Sequence, residues 1–382
     1  MPERIAARAG IPPFYVMEVV RAAEERERAG AEVLHLEVGQ PATGAPEGVV
    51  AAAQAALASG ATLGYTTAFG RWDLREAIAR HTADWYGVDV DPRRIAVTTG
   101  ASASFTLAFL ACFDQGARVA VTSPGYPCYR NVLAALGVEA VDVPIDASTG
   151  FRLTPELLDA AGPLDGVVVA SPSNPTGTML DAAGLEALAG WCAERGAWLV
   201  SDEIYHGISY EQQAPTALAA SDDAIVVNSF SKYFSMTGWR LGWLVLPERL
   251  IAPVERLGQN LYISAPTLSQ VAAVAAFDCH EELRANVERY AANRRVLLDG
   301  LPGTGLTDLA PADGAFYVWA RSDGLAEDSQ ELCTRWLNEL GVAATPGIDF
   351  DPARGRSYVR FSFAGATADM REAVRRLQAF RP

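Results

Sequence analysis

A single lysine stands among the basic residues of this chain. Lys232 accompanies thirty arginines, so the 31 basic side chains include one primary amine. An amine can lose its proton and attack a carbonyl carbon, whereas a guanidinium stays protonated. Lys232 is therefore a candidate nucleophile. The alternative is that it is a chance survivor of compositional drift, and its neighbours in the sequence must decide between the two.

Hydroxyls and a guanidinium lie close to Lys232 in sequence. Ser229 and Ser231 precede it, and Arg240 follows. This set of donors matches the oxygens of a phosphate. Burial and nearby cations both lower the pKa of a lysine from its ordinary value of about 10.4, because they disfavour the charged ammonium. The spacing predicts a neutral amine beside a bound phosphate.

Three more polar motifs follow apolar runs. Gly100-Ala101-Ser102 opens a helix, where backbone N–H groups can hold an anion, although a plain tight turn is the commoner role. Asn174 lies in the turn 171–177, and an ordinary Asn-Pro turn is its alternative. Asp202 ends another run, with Tyr205 three residues later; such a buried carboxylate needs a cation or several donors. A purely structural Asp202 stays open at this point.

Seven apolar runs of strand length alternate with helix-length segments. Each run is apolar throughout rather than alternating between apolar and polar residues, as in strands that are covered on both faces. The runs are 94–99, 118–123, 139–143, 166–171, 198–202, 225–229 and 241–246. They predict an α/β fold whose mostly parallel seven-stranded sheet is flanked by helices. Ligands of such sheets gather beyond the carboxyl ends of the strands, where the motifs lie.

The two ends of the chain predict a smaller α+β domain. The expected elements are a helix at 14–29, an extended segment at 33–38, one long helix at 264–301, strands at 315–320 and 357–363, and helices near 328–340 and 367–380. We expect a large domain at 46–285 and a small domain that joins 1–45 to 286–382.

Composition narrows the class of protein. A net charge of −15 over 382 residues disfavours nucleic acid and anionic membranes as partners. Five scattered cysteines indicate reduced thiols, and four histidines show no metal-ligand spacing. No apolar run approaches the roughly 18 residues of a membrane span, and the first residues lack a signal-like stretch. We expect a cytoplasmic protein without a metal site.

The order of these motifs resembles the class I/II aminotransferases, which are fold-type I pyridoxal phosphate enzymes similar to aspartate aminotransferase. Ser-Asn-Pro-Thr-Gly at 173–177, Asp-x-x-Tyr at 202–205, Ser-x-Ser-Lys at 229–232 and Gly-x-Arg at 238–240 carry the resemblance. Each motif is modest, but four in register are specific, and further matches extend over essentially the whole chain. The resemblance implies pyridoxal 5'-phosphate as the cofactor.

The resemblance also implies roles in cofactor binding. Lys232 would form the Schiff base and move the proton between the substrate and the cofactor. Asp202 would pair with the pyridine nitrogen, while Asn174 and Tyr205 would donate to the phenolic oxygen. Tyr126 would stack on the ring. The phosphate contacts would be Gly100, Ala101, Ser102, Ser229, Ser231 and Arg240.

Further implied roles concern the substrate and a second subunit. Arg360 would clamp the substrate carboxylate, with Gly39 and Asn174 also at the substrate. Tyr65 would reach the phosphate of a neighbouring subunit, which implies a homodimer with shared active sites. No motif marks a second arginine for a distal carboxylate. Three residues are candidates for the pocket that holds the substrate side chain, namely Phe14, Tyr15 and Tyr262, and packing in the core is the alternative for each. His206 is a candidate support behind Tyr205, and packing is again the alternative.

The expected activity is ping-pong transamination, in which an L-amino acid gives its amino group to the cofactor and a 2-oxo acid collects it. A β-eliminating lyase of the cysteine-S-conjugate type stays open, because the same carbanion can expel a leaving group. A non-catalytic sensor module, like the aminotransferase-like half of certain transcription regulators, is disfavoured, since the chain is acidic and no DNA-binding extension precedes the fold.

Overall fold

A computed structural model describes residues 5–381 of the chain. Its helices are α1 (Tyr15–Arg28), α2 (Glu47–Ala58), α3 (Trp72–Tyr86), α4 (Ala101–Cys112), α5 (Pro127–Leu136), α6 (Pro155–Ala160), α7 (Ala182–Arg195), α8 (Ala217–Ala220), α9 (Glu248–Leu261), α10 (Thr267–Val274), α11 (His280–Gly300), α12 (Ser329–Arg335) and α13 (Thr367–Ala379). Its strands are β1 (Leu34–His35), β2 (Ile95–Thr98), β3 (Arg118–Ser123), β4 (Glu139–Pro144), β5 (Gly166–Ala170), β6 (Trp198–Asp202), β7 (Ile225–Ser229), β8 (Gly242–Val245), β9 (Tyr317–Arg321), β10 (Val342–Ala343), β11 (Thr345–Pro346) and β12 (Tyr358–Ser362).

The seven predicted runs form one sheet in the order β2-β8-β7-β6-β5-β3-β4. Strand β8 is antiparallel to both of its neighbours, and the other pairings are parallel. Strands β2, β3, β5, β6 and β7 therefore run in the same direction and end at one edge. The prediction of a mostly parallel seven-stranded sheet flanked by helices is confirmed, and this edge is where the motifs meet.

Local signals set several helix ends. Asp181 caps α7, because its carboxylate accepts the Gly184 N–H at 2.8 Å. Gly137 and Gly196 end α5 and α7 in the left-handed region, with φ of 78° and 64°. Glycine adopts this conformation without the steric penalty of a side chain. The connections back to the sheet are therefore short.

The N-terminal segment joins the C-terminal part of the chain. Leu34 and His35 in β1 pair with Val342 and Ala343 in β10, and β11, β12 and β9 form a separate antiparallel sheet. This pairing supports the small domain that we propose from both chain ends. Its proposed boundary at 285/286 falls inside α11, and residues 1–4 and 382 lie outside the described residues.

The prediction of one long helix over 264–301 is wrong. The chain forms α10, then a 3-10 turn at Ala275–Asp278, and then α11. Helix α10 packs against α2 and α3, whereas α11 packs against α13, so the two helices serve different layers. Glu281 and Glu282 lie in the first turn of α11, where carboxylates interact favourably with the helix dipole. These acidic residues were the sequence signal for a new helix start.

The helices of the described residues were also compared with the length and apolarity that a membrane crossing requires. None of the helices between residues 5 and 381 meets both conditions.

Candidate active site

A cavity of about 180 Å³ lies at the edge where the parallel strands end. The N-terminal segment covers it, and β9 and β12 contribute from the second sheet. The structure brings seven of the residues predicted from sequence into its wall, namely Gly39, Tyr126, Asn174, Asp202, Tyr205, Lys232 and Arg360. They come from six separate stretches of sequence.

Lys232 follows β7 and extends into the cavity. Its Nζ donates a hydrogen bond of 2.6 Å to the carbonyl oxygen of Gly39. Burial first, and then the charges of Arg360 and Arg240, lower the pKa of Lys232 to about 8, and Asp202 opposes them. Near neutral pH an appreciable fraction of the amine is therefore unprotonated, which is the form that attacks a carbonyl.

Asp202 ends β6 on the floor of the cavity and is 2% exposed. Burial raises the pKa of this carboxyl to about 7. The Ile204 N–H donates to Oδ1 at 3.1 Å, and the hydroxyl of Tyr129 donates to Oδ2. A protonated ring nitrogen beside Asp202 would favour the ionised carboxylate, so the site fits a pyridinium.

Tyr129 was not predicted as a site residue. It lies in the first turn of α5, three residues after Tyr126, so both rings face the same side of the helix. Their centroids are 5.5 Å apart. The spacing of two tyrosines after the strand end was the signal available in the sequence.

Asn174 and Tyr205 approach the cavity from neighbouring strand ends. The Oδ1 atom of Asn174 accepts a hydrogen bond from Arg360 at 2.9 Å, which leaves the amide N–H groups as donors. The hydroxyl of Tyr205 lies 2.7 Å from that of Tyr317. Tyr317 was also missed, because its position in an apolar strand reads as core. It explains Gly39: a Cβ there would lie 1.7 Å from the Tyr317 hydroxyl oxygen.

Arg360 in β12 is a buried cation held by neutral groups. It is 3% exposed, and its guanidinium stacks 4.4 Å from the ring centroid of Tyr317 and 4.6 Å from that of Phe350. One terminal nitrogen donates to the carbonyl oxygen of Glu37. Nε has no partner, and among residues 5–381 no carboxylate pairs with Arg360. A buried guanidinium of this kind suits a ligand carboxylate.

The predicted phosphate contacts also converge. Gly100 has φ of +76° and precedes α4, so the N–H groups of Ala101 and Ser102 lie at a helix N-terminus. A Cβ at Gly100 would lie 2.6 Å from a terminal nitrogen of Arg240. Ser229 Oγ is 2.9 Å from Ser231 Oγ. Helix N–H groups, hydroxyls and a guanidinium in one place fit a phosphate.

Of the remaining candidate residues, one lines the cavity and three do not. Phe14 lines the cavity, with its ring centroid 6.0 Å from that of Tyr126. Tyr15 instead lines a separate groove between α1 and α12, and Tyr262 is 39% exposed outside the cavity. Tyr65 is 83% exposed and does not reach the cavity of its own chain.

Comparisons with known proteins agree with this geometry. The family model described as aminotransferase class I and II matches residues 31–377. The valine–pyruvate aminotransferase of Mycobacterium tuberculosis is 51% identical, with all of both chains covered. A crystal structure of an aminotransferase from the same organism has a TM-score of 0.96 at 51% identity and covers 99% of this chain and 98% of that one. The aspartate aminotransferase from Thermus thermophilus with maleate has a TM-score of 0.92 at 33% identity, covering 98% and 99%.

These relatives are named aminotransferases, which does not favour the lyase alternative. A nucleophilic lysine and a buried carboxylate line one cavity. Gly100 and Arg240, which are among the donors suited to a phosphate, lie close to each other. Pyridoxal phosphate requires all three kinds of group. The chain belongs to the class I and II aminotransferases, pyridoxal phosphate enzymes that move an amino group from an amino acid to a 2-oxo acid.

Proposed function

We propose that this aminotransferase takes valine or a similar aliphatic amino acid as donor and pyruvate as acceptor. The observation that carries the proposal is an apolar wall in the cavity that Arg360 also lines, formed by Phe14, Val16, Met17 and Val38. The 51% identical relative named as a valine–pyruvate aminotransferase supports it.

Within one subunit, the charges in the cavity leave no counter-ion for a second carboxylate. Among the described lining residues, the charged side chains are Asp202, Lys232 and Arg360. Arg360 is the cation suited to the α-carboxylate, and Lys232 is the amine needed for chemistry. A distal carboxylate, as in aspartate, would then lie against apolar side chains, at a cost of several kcal/mol. An aliphatic side chain would instead bury favourably there.

The residues of the chain have distinct roles in this proposal. Bound pyridoxal phosphate supplies an electron sink that stabilises negative charge on the substrate α-carbon. Lys232 would hold the cofactor covalently; once the amino group of the substrate displaces it, the free amine would take the proton from the α-carbon. Arg360 would orient the substrate so that this C–H bond faces Lys232. Asp202 would hold the proton on the ring nitrogen, and Asn174 and Tyr205 would donate to the phenolic oxygen.

Further residues would bind the cofactor. Tyr126 would cover one face of the ring. The phosphate would be held by Gly100, Ala101, Ser102, Ser229, Ser231 and Arg240. Gly39 leaves room for the substrate beside Tyr317, since its missing Cβ would clash with that ring.

We further propose a homodimer that shares its active sites through Tyr65. The Tyr65 loop contacts the turn after α9, because the Thr66 N–H donates to Ser264 Oγ at 3.4 Å. Leu261 and Ile263 on that turn are 50% and 48% exposed. An exposed apolar patch around a tyrosine suits burial against a second copy. A cytoplasmic location is proposed with it, in keeping with the free cysteines.

A donor screen tests the substrate proposal. Holoenzyme is mixed with valine, leucine, alanine or aspartate, and the loss of the cofactor absorbance band is followed by stopped flow; pyruvate should then restore it. We expect kcat/KM for valine to exceed that for aspartate by about 100-fold, the ratio for roughly 3 kcal/mol. Equal or faster reaction with aspartate contradicts the proposal.

A pair of variants tests the wall itself. Val16→Ala enlarges the cavity and should lower kcat/KM for valine several-fold while sparing larger aliphatic donors. Val19→Ala is the matched control, since Val19 lies on the same helix and lines the groove between α1 and α12 instead. If both variants change the valine-to-leucine ratio alike, the wall does not select the donor.

A further inference from the structure

A buried histidine lies directly behind Tyr205 and takes no part in the roles above. His206 is 4% exposed, and both of its ring nitrogens have partners. Nε2 lies 3.0 Å from the carbonyl oxygen of Ser171, and Nδ1 lies 2.6 Å from the hydroxyl of Tyr86 at the end of α3. This is a fully hydrogen-bonded imidazole in the interior rather than an apolar filler.

The partners determine which nitrogen carries the proton. Burial lowers the pKa of His206 to about 4, so the ring is neutral at physiological pH. The Ser171 carbonyl can only accept, so Nε2 is the donor and Nδ1 accepts from Tyr86.

Other titratable groups around the ring do not change this assignment. The Glu203 carboxyl lies 3.4 Å from Nδ1 and is held by the Ala217 N–H at 2.8 Å and by Ser201 Oγ at 3.1 Å. Burial raises the pKa of Glu203 to about 7. His81 on α3 is itself neutral, because burial lowers its pKa to about 3.

The bond to Ser171 joins two segments of the cofactor site. Ser171 begins the turn that carries Asn174, while His206 directly follows Tyr205. The same turn is held from the other side, where the Ser171 N–H donates to the Asp202 carbonyl at 3.1 Å and the Leu180 N–H donates to Ser171 Oγ at 2.9 Å. The imidazole is thus a side-chain link between the turn and the segment of Tyr205, and it adds to the backbone bond between Ser171 and Asp202.

We propose that His206 is a positioning residue that fixes the separation of Asn174 and Tyr205, so that both donate to the phenolic oxygen of the cofactor at once. The proposal rests on the roles given above to Asn174 and Tyr205. His206 itself does not touch the cofactor; it acts through the Ser171 carbonyl.

Two substitutions of similar polarity separate positioning from packing. In His206→Gln, the side-chain amide reaches as far as Nε2 and can still donate to the Ser171 carbonyl. In His206→Asn, it reaches only as far as Nδ1, so the bond to Tyr86 is kept and the bond to Ser171 is lost. The first measurement is the pH midpoint, which is the pH at which the absorbance change of the holoenzyme without substrate is half complete. The second is the dissociation constant of the cofactor.

We expect the pH midpoint to rise by about one unit in His206→Asn, because a misplaced donor stabilises the deprotonated cofactor less. Cofactor binding should weaken by about tenfold. His206→Gln should stay close to the wild type in both measurements. An unchanged midpoint in His206→Asn, or an equal change in both variants, overturns the proposal.

Tyr86→Phe covers the case in which His206→Asn does not fold. It keeps the imidazole but removes the hydroxyl that orients it, so a smaller upward shift of the pH midpoint is expected, and a folded variant with the wild-type midpoint overturns the proposal.

The wild-type spectrum separates the role of His206 from the cofactor roles on which it rests. Absence of a pH-dependent band in the wild type would refute the cofactor roles, whereas a normal band with indistinguishable variants would refute only the role of His206.

Discussion

Lys232 Nζ and the carbonyl oxygen of Gly39 are joined by a hydrogen bond of 2.6 Å across 193 residues of sequence. The bond ties the end of β7 to the N-terminal segment that covers the cavity. It also holds the amine close to the place where the reacting carbon of a substrate would lie. The hydrogen bond therefore links the nucleophile directly to the segment that covers the site.

Covalent attachment of the cofactor should depend on Lys232 alone. We expect borohydride reduction of the holoenzyme, followed by peptide mapping, to place the side-chain label on the peptide containing Lys232. Lys232→Arg keeps a cation but cannot attack the carbonyl, so kcat should fall at least about 10³-fold. A label on another side chain, or turnover retained in the arginine variant, would contradict the assignment.

The buried amine should make the stability of the cofactor-free protein depend on pH. Its pKa is about 8 in the folded protein, below the ordinary lysine value of 10.5. The unfolded chain therefore binds more protons between these values, and stability should rise with pH across that window. The cost to folding is fully present below pH 8 and amounts to about 3 kcal/mol.

Chemical denaturation measures this effect, with Lys232→Met as the comparison. The methionine variant should be the more stable protein at pH 7, and the difference should shrink as the pH approaches 10.5. A difference that stays constant over this range would show that the folded amine titrates normally.

Asp202 and Tyr129 should contribute unequally to catalysis. Asp202→Asn removes the charge that would hold a proton on the ring nitrogen, so we expect kcat to fall by at least about 100-fold. Tyr129→Phe keeps the carboxylate and removes one hydrogen bond, so the loss should be about tenfold or less. Steady-state kinetics with saturating cofactor compare them. Equal losses would mean that the hydroxyl, and not the charge, is the essential group.

Gly39 should tolerate no side chain. In Gly39→Ala the Cβ would lie 1.7 Å from the Tyr317 hydroxyl oxygen, so the cover or the tyrosine must move. We expect a KM increase of about tenfold or more, since the substrate space is displaced. Gly44→Ala is the control, because nothing lies within 4 Å of its Cβ position. Wild-type KM in Gly39→Ala would show that the cover moves freely.

Gly100 should be required for phosphate binding as well as for its backbone conformation. Gly100→Ala places a Cβ 2.6 Å from Arg240 at a φ of +76°. Gly87→Ala also has a positive φ, of +68°, but meets no atom within 4 Å. Gly87→Ala should lose about 1 kcal/mol of stability. Gly100→Ala should lose more, because its φ of 76° with ψ of 166° is a conformation that is essentially restricted to glycine. In titrations with pyridoxal phosphate, weaker binding is expected for Gly100→Ala alone; equal affinity of the two variants would remove Gly100 from the cradle.

The sequence by itself predicted the sheet and about half of the residues that line the cavity. Continuous apolar runs identified the strands, because buried parallel strands need apolar residues on both faces. Parallel strands end at one edge, so residues following separate strands, such as Asn174, Asp202 and Lys232, had to meet there. The solitary lysine and its neighbouring serines then indicated the chemistry.

Tertiary structure alone revealed the residues whose role depends on what faces them. Tyr317 reads as core in its strand, and only its contact with Tyr205 and its approach to Gly39 place it at the cavity. Tyr129 likewise gains a role through its hydrogen bond to Asp202. His206 was a candidate from the sequence, but its bond to the Ser171 carbonyl is visible only in the folded chain. The break between α10 and α11 was also missed, because helical periodicity does not report which layer each half packs against. Local patterns record burial and turns, whereas a hydrogen bond between distant segments exists only once the chain has packed.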